Sequence, residues 1–348
     1  MRRPLLVAER RIVLLNLVFA IPYFLKPGHR LGNRQLPHCM RFAATFSVAF
    51  VLCSELVSDS SGIDNNPTAD SKAAEINNLA LNELKRALRD EPRFVKLHAA
   101  EALLAGGYNS NVCDVFKKQL ELYGNVPMYR IAIWRVLAQA GKDAKERSSF
   151  IEEIRNAYLD PNAPDRTTAA ESLAKLHFVI PAEDRPIFKA LARDAVIAEA
   201  PCRRWLVAVS GDEDDVRFLA ELLSDPDPAV RGITAYALRF LTEKLPTDVI
   251  AKLTRVAEDE PTSNYRIYLV TAAYAATRDN KQVPHLKKTL LSYARSTNKE
   301  DRYELAATLA LRGTGEDLPI LTDLLDDPEP DVRVSAANAI LQVDREKP

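Results

Sequence analysis

Five histidines, four cysteines and a few paired acids are the residues of this sequence with the clearest capacity for chemistry, and their spacing gives them no partners. His29, His38, His98, His177 and His285 are scattered along the chain. No Cys-x-x-Cys or Cys/His spacing of the kind that holds zinc occurs. Cys39 and Cys53 lie in the first 66 residues, and Cys113 and Cys202 stand 89 positions apart. A disulfide framework is therefore not expected, and the last two read as core residues. The G-x-S-x-G of serine hydrolases, the phosphate-cradling G-K-[ST] and the dinucleotide-binding G-x-G-x-x-G are all missing. Asp214-Asp215 and Asp326-Asp327 pair carboxylates next to helix starts, where the helix dipole favours negative charge without any catalytic task. Gly211 and Gly313 read as helix ends, and His98 as a surface histidine rather than a metal ligand. No catalytic residue, cofactor or metal is expected.

The elements that would have to position any site are announced by a phrase written twice. Residues 222–231, LLSDPDPAVR, return at 324–333 as LLDDPEPDVR, an offset of 102, or three times 34. A period of 20 to 50 residues is the signature of a stacked array. The basic residue closing the phrase can be followed through Lys96, Arg130, Arg166, Arg204, Arg231, Arg266, Arg302 and Arg333, giving eight units of 27 to 38 residues. Arg204 fits least well, because the turn before it lacks Asp-Pro.

Offsets +3, +4 and +7 from these residues are apolar or small, as in Ala99, Ala100 and Leu103 or Ala336, Ala337 and Ile340, which is one face of an α-helix. The segment before each basic residue carries its own helical stripe, so each unit reads as helix, proline-containing turn, helix. Asp227 before Pro228 suits the cap and first turn of a second helix. Low glycine with abundant proline, 11 against 21, also fits helices joined by short turns.

Charge is unevenly placed. Residues 1–66 hold 8 Lys and Arg against 4 Asp and Glu, which leaves 39 against 44 for residues 67–348. A mildly acidic folded part is a poor phosphate neutraliser, so nucleic acid is not an expected partner. The first 66 residues carry apolar runs at 12–25 and 42–57, both shorter than the ~20 residues needed to span a bilayer. The second run, behind Met40-Arg41 and before a polar stretch, has the layout of a secretory signal with a true start at Met40. Residues 1–66 are thus read as a targeting segment and linker, and 67–348 as the folded array. The expected location is exported, periplasmic or membrane-associated through that segment, in a bacterial cell, with a cytoplasmic protein as the alternative.

The repeated D-P-x-x-V-R between two helices resembles the HEAT repeat, in particular the HEAT-like class first noted in phycobilin lyases. The resemblance spans about residues 72–345. It implies an all-α, armadillo-type fold, a right-handed α-α superhelix (a HEAT-like solenoid) of about eight helical hairpins. In that family the turn Asp and the helix Arg form a hydrogen-bonded ladder. Carried over, the rungs are Asp160 with Arg166, Asp225 with Arg231, and Asp327 with Arg333, with interruptions at Lys96, Arg130, Arg266 and Arg302, where Asp-Pro is altered. The iron-binding His-Glu pairs of the HEAT-like hydroxylase are absent, since none of the five histidines precedes Glu. Trp134 and Trp205 follow ladder positions closely and read as packing residues rather than as the lining of a HEAT-like DNA glycosylase.

Stacked hairpins present a curved face lined by their second helices. Offsets +5 and +8 place Arg135, Tyr236, Arg239 and Tyr274 on its exposed side, and offset +2 adds Tyr268; arginine and aromatic side chains dominate interface energetics. The expected function is a non-enzymatic protein-protein interaction scaffold with a concave binding surface, its partner another protein. The alternative is a lyase-like enzyme or enzyme subunit that holds a protein substrate or cofactor on that surface.

Overall fold

The computed structural model describes residues 69–343; the targeting segment expected over 1–66 lies outside the described residues. Sixteen α-helices and three short 3-10 turns make up the described chain, with no strand among them. They pair as eight hairpins: α1 (Ala69–Asp90) with α2 (Arg93–Ala105), α3 (Val112–Tyr123) with α4 (Tyr129–Ala140), α5 (Ala144–Leu159) with α6 (Arg166–Lys175), and α7 (Arg185–Arg193) with α8 (Ala200–Val209). The second half continues with α9 (Glu213–Leu222) and α10 (Pro228–Arg239), α11 (Thr247–Asp259) and α12 (Arg266–Ala276), α13 (Val283–Ser292) and α14 (Lys299–Arg312), and α15 (Leu318–Leu324) and α16 (Pro330–Gln342). All eight basic residues used to divide the sequence fall in second helices, Arg204 in α8 included.

The local chemistry explains the hairpins. Asp227 accepts a hydrogen bond from Ala229 N at 2.8 Å while Pro228 opens α10, so a donor that would be orphaned is satisfied and proline gives up nothing. Asn298 and Asp143 cap α14 and α5 in the same way. Gly211 has a φ of 94° just beyond α8, a conformation that excludes a Cβ. Gly313 ends α14, where a Cβ would lie 2.5 Å from Leu309 O.

Packing follows the stripe read from the sequence. Ala99, Ala100, Ala169, Ala170, Leu305, Ala306, Ala336 and Ala337 have no exposure, and the small alanine side chains let second helices approach closely. Cys113 and Cys202 are buried with them. Trp205 is fully buried and stacks on Phe240 with centroids 5.0 Å apart, and Trp134 packs partly buried under Arg130.

The second helices touch in the order α2, α4, α6, α8, α10, α12, α14, α16, and α16 then touches α2. The array bends until its last hairpin meets its first, with α1 laid along α16. The helical-hairpin solenoid expected from the sequence therefore closes into a ring instead of leaving a solvated concave face, the second helices forming its inner wall. The physical cause is that α1 and α16 bury apolar surface against one another as internal neighbours do. Ala80, Leu84 and Ala87 of α1 are fully buried.

Candidate functional site

Ring closure changes the fate of every residue expected on the concave face. Arg135 is 1% exposed, Arg239 3%, Tyr274 3% and Tyr236 5%, and Tyr268 is partly buried against Tyr236. These offsets fall on a side of the second helices that is buried within the ring rather than turned to solvent. The expectation that these residues form an exposed concave surface is corrected accordingly.

What they form is a buried ionic network. Arg135 Nε donates to Glu101 at 2.7 Å and its Nη1 to Ser172 Oγ at 2.8 Å, tying α4 to α2 and α6. Lys175 Nζ donates to Glu171 at 2.6 Å on α6, and Tyr236 Oη reaches the same carboxylate at 3.3 Å from α10. Arg239 donates to Glu304 and lies 3.4 Å from Thr308 Oγ1, so α10 is joined to α14 past the intervening α12. Three acids meet three bases, and the network is neutral overall.

Burial dominates its electrostatics. Desolvation lowers the Lys175 ammonium pKa, with Glu171 acting in the opposite sense. The Glu304 carboxyl is raised by burial, which outweighs Arg239, and the Tyr236 hydroxyl is pushed well up for the same first reason. Glu101 Oε2, Arg135 Nη2, Arg239 Nε and Glu304 Oε1 find no further protein partner. Such a network contributes little net stability over an apolar isostere, but removing one member leaves a charge stranded. Its chemistry is that of a register pin, fixing which helix faces which.

Tyr274 is held elsewhere, its hydroxyl 3.5 Å from Arg312 O and its ring 4.9 Å beneath the Arg312 guanidinium. His98, expected on the surface, is 6% exposed because α16 covers it. Its Nδ1 lies 2.8 Å from Asp331 of α16 and its ring 5.6 Å from Tyr303 of α14. Among the described residues no group of three or more His, Cys, Asp or Glu could hold a metal ion, and no helix among them is long and apolar enough to cross a membrane.

The ladder also differs from its expected form. Arg231 donates to the backbone carbonyls of Asp225 and Pro226 at 2.7 and 3.1 Å, and Arg333 to those of Asp327 and Pro328 at 2.8 and 3.1 Å. The phrase thus binds its own arginine through main-chain oxygens, leaving the turn carboxylates for other tasks. Asp225 accepts from Asp227 N, and Asp160 accepts from Asn162 N while Arg166 reaches Tyr158 O at 3.0 Å. The carboxylate for each paired ladder arginine comes from the next hairpin: Arg130 to Asp165 at 2.8 Å, Arg204 to Asp215 at 2.8 Å, Arg231 to Glu260 at 2.7 Å, and Arg302 to Asp327 at 2.6 Å. Arg130 and Arg302, expected as interruptions, are bidentate rungs. Lys96 donates to Leu88 O and Arg89 O within its own hairpin. The acids sit 11 to 35 positions after their arginines, too variable a spacing to read from sequence.

The outer helices carry a parallel set. Lys117 meets Glu146, Arg155 meets Asp184, Lys189 meets Asp212, Arg217 meets Asp248, and Lys287 meets Asp317, always from one hairpin to the acid of the next.

Stacked α-hairpins with an inner wall of second helices and rungs from unit to unit define a helical repeat scaffold. The HEAT repeat family model matches residues 318–343, the stretch holding α15 and α16, so the chain carries a HEAT repeat there. No curated protein and no solved structure matches the chain.

Proposed function

We propose that the protein is a non-enzymatic interaction scaffold for another protein, and that its contact surface lies on the outside of the ring at the fourth hairpin. The observation that carries this reading is the concentration of apolar exposure there. Val179, Ile187, Val196 and Ile197 are 70, 48, 62 and 51% exposed, four of the nine exposed large apolar side chains among the described residues. Apolar side chains scattered singly are ordinary; four of them within residues 179–197, on either side of and along α7, support a contact surface at this unit. The fourth hairpin is also where the repeat spacing is least regular, and departures from a repeat tend to fall on the face that binds. The lyase-like alternative needs a concave face open to a substrate, and the inner face is committed to its own ion pairs. The signal-like run at 42–57 supports a protein exported from a bacterial cytoplasm or held at its membrane.

The test is affinity capture from the native host. The chain is expected to retain a discrete protein, and the triple change Ile187→Asp, Val196→Asp, Ile197→Asp to lose it with an unchanged melting temperature. Retention of the same partner by the folded triple variant defeats the assignment. Mass spectrometry of the native amino terminus tests export: a mature chain starting shortly after residue 53 supports it, and an intact apolar run in a soluble cytoplasmic fraction refutes it.

A further inference from the structure

One helix makes the seam of the ring. α1 lies along α16 as well as along its own partner α2. It supplies the carboxylate nearest Arg333, Glu83 at 2.8 Å, and the link that follows it places Glu91 at 3.7 Å. With 22 residues it is the longest helix among the described residues, yet only Glu91 and Pro92 join it to α2, and Arg93 just beyond them has a φ of 33°. That conformation crowds a residue bearing a side chain.

The joint that α1 closes has the same chemistry as the internal ones. Arg333 passes to Glu83 as Arg231 passes to Glu260 and Arg302 to Asp327. Nothing in those contacts distinguishes the chain's own α1 from that of another molecule. The advantage of the chain's own helix is effective concentration, set by the link that tethers it. An element at the end of the array of hairpins, on a short, strained link, is the circumstance in which identical copies exchange that element.

We propose that α1 is an exchangeable closing helix, and that the face of α16 and α2 beneath it is a docking surface for the α1 of a second copy of this chain. In the resulting dimer each ring is completed by its partner's helix, the packing of α1 on α16 and α2 is kept, and only the link at residues 90–93 changes conformation. This surface lies at the first and eighth hairpins, away from the fourth, so the two proposals fail independently.

The experiment uses the chain as purified, concentrated and separated by size-exclusion chromatography with light scattering. Glu83→Cys with Arg333→Cys is introduced after Cys39, Cys53, Cys113 and Cys202 are changed to Ala, and each fraction is treated with a short bis-maleimide cross-linker, whose reach matches an arginine–glutamate pair, and run on a denaturing gel. Exchange predicts a dimer fraction whose cross-link joins two chains and a monomer fraction whose cross-link stays within one. A chain that stays monomeric throughout, or a dimer whose cross-link is intramolecular, overturns the proposal. In the native sequence, four Gly and Ser residues inserted between Glu91 and Pro92 should reduce the dimer fraction about fivefold, the change that relief of modest strain produces. A dimer fraction unmoved by that insertion also overturns it, which keeps the test decisive if the cysteine variant does not fold.

Discussion

The fifth and eighth hairpins carry nearly the same ten residues and make the same local structure, yet they are joined to the molecule differently. In both, the arginine closing the phrase donates to the carbonyls of the Asp-Pro turn six and five residues earlier. Arg231 then pairs with Glu260 in the hairpin that follows it in sequence, whereas Arg333 pairs with Glu83, 250 positions earlier. Asp225 is spent within its own turn, while Asp327 receives Arg302 through both oxygens. A repeat phrase therefore specifies one half of a joint, and the neighbour supplies the other half from whatever residue lies within reach.

The comparison can be broken from inside the ring. Arg239→Ala strands Glu304 on the far wall, and equilibrium denaturation should show a loss of about 3–5 kcal/mol. Restoring neutrality with Arg239→Leu plus Glu304→Leu should recover most of it. If the single change costs no more than a surface substitution, the network is not pinning α10 to α14.

A second measurement asks whether the seam is as strong as an internal joint. Leu84→Ala at the seam and Leu253→Ala in α11 both remove a fully buried side chain, and each should cost about 2–5 kcal/mol. A far smaller loss at Leu84 in the same denaturation series would mean that the ring is only loosely shut.

The arginines come next. Arg333→Ala and Arg231→Ala each remove a pair to a carboxylate that is largely but not fully shielded, and both should cost about 1–2 kcal/mol. Near-equal values would confirm that closure reuses the internal joint. Asp327→Asn should cost more than Asp225→Asn, which is expected within about 0.5 kcal/mol of the parent because its carboxylate serves only an exposed turn.

The smallest effect is on acid stability. Burial raises the Asp331 carboxyl, but the hydrogen bond and charge of His98 outweigh it and leave the pKa below its ordinary value. A carboxyl depressed by folding stabilises the native state above its unfolded pKa of about 3.9, and that contribution is lost as pH falls through the lower folded value. His98→Gln should therefore raise the pH midpoint of acid unfolding slightly, read by circular dichroism. An unchanged midpoint would remove the pair from the seam's energetics.

The unit division was legible because burying a helical stripe requires small and apolar residues at fixed offsets, and Ala99, Ala100 and Leu103 obey that rule as faithfully as Ala336, Ala337 and Ile340. Arg204 fell in its expected helix despite an irregular turn, since its helix still had to pack between α6 and α10. The inner residues were legible as a face but not as an environment. Arg135 and Glu101 lie 34 positions apart, and Arg239 and Glu304 lie 65 apart, on helices that are not neighbours in the stack.

The sequence by itself determined the hairpins, their number and which side of each second helix turns inward, because those depend on periodicity within some 35 residues. The tertiary structure alone decided that the stack closes. Curvature is the sum of small rotations at eight joints, no single one of which is encoded in a motif. Closure then turned a polar stripe fit for solvent into a sealed ionic core, and gave Arg333 a partner at the opposite end of the chain.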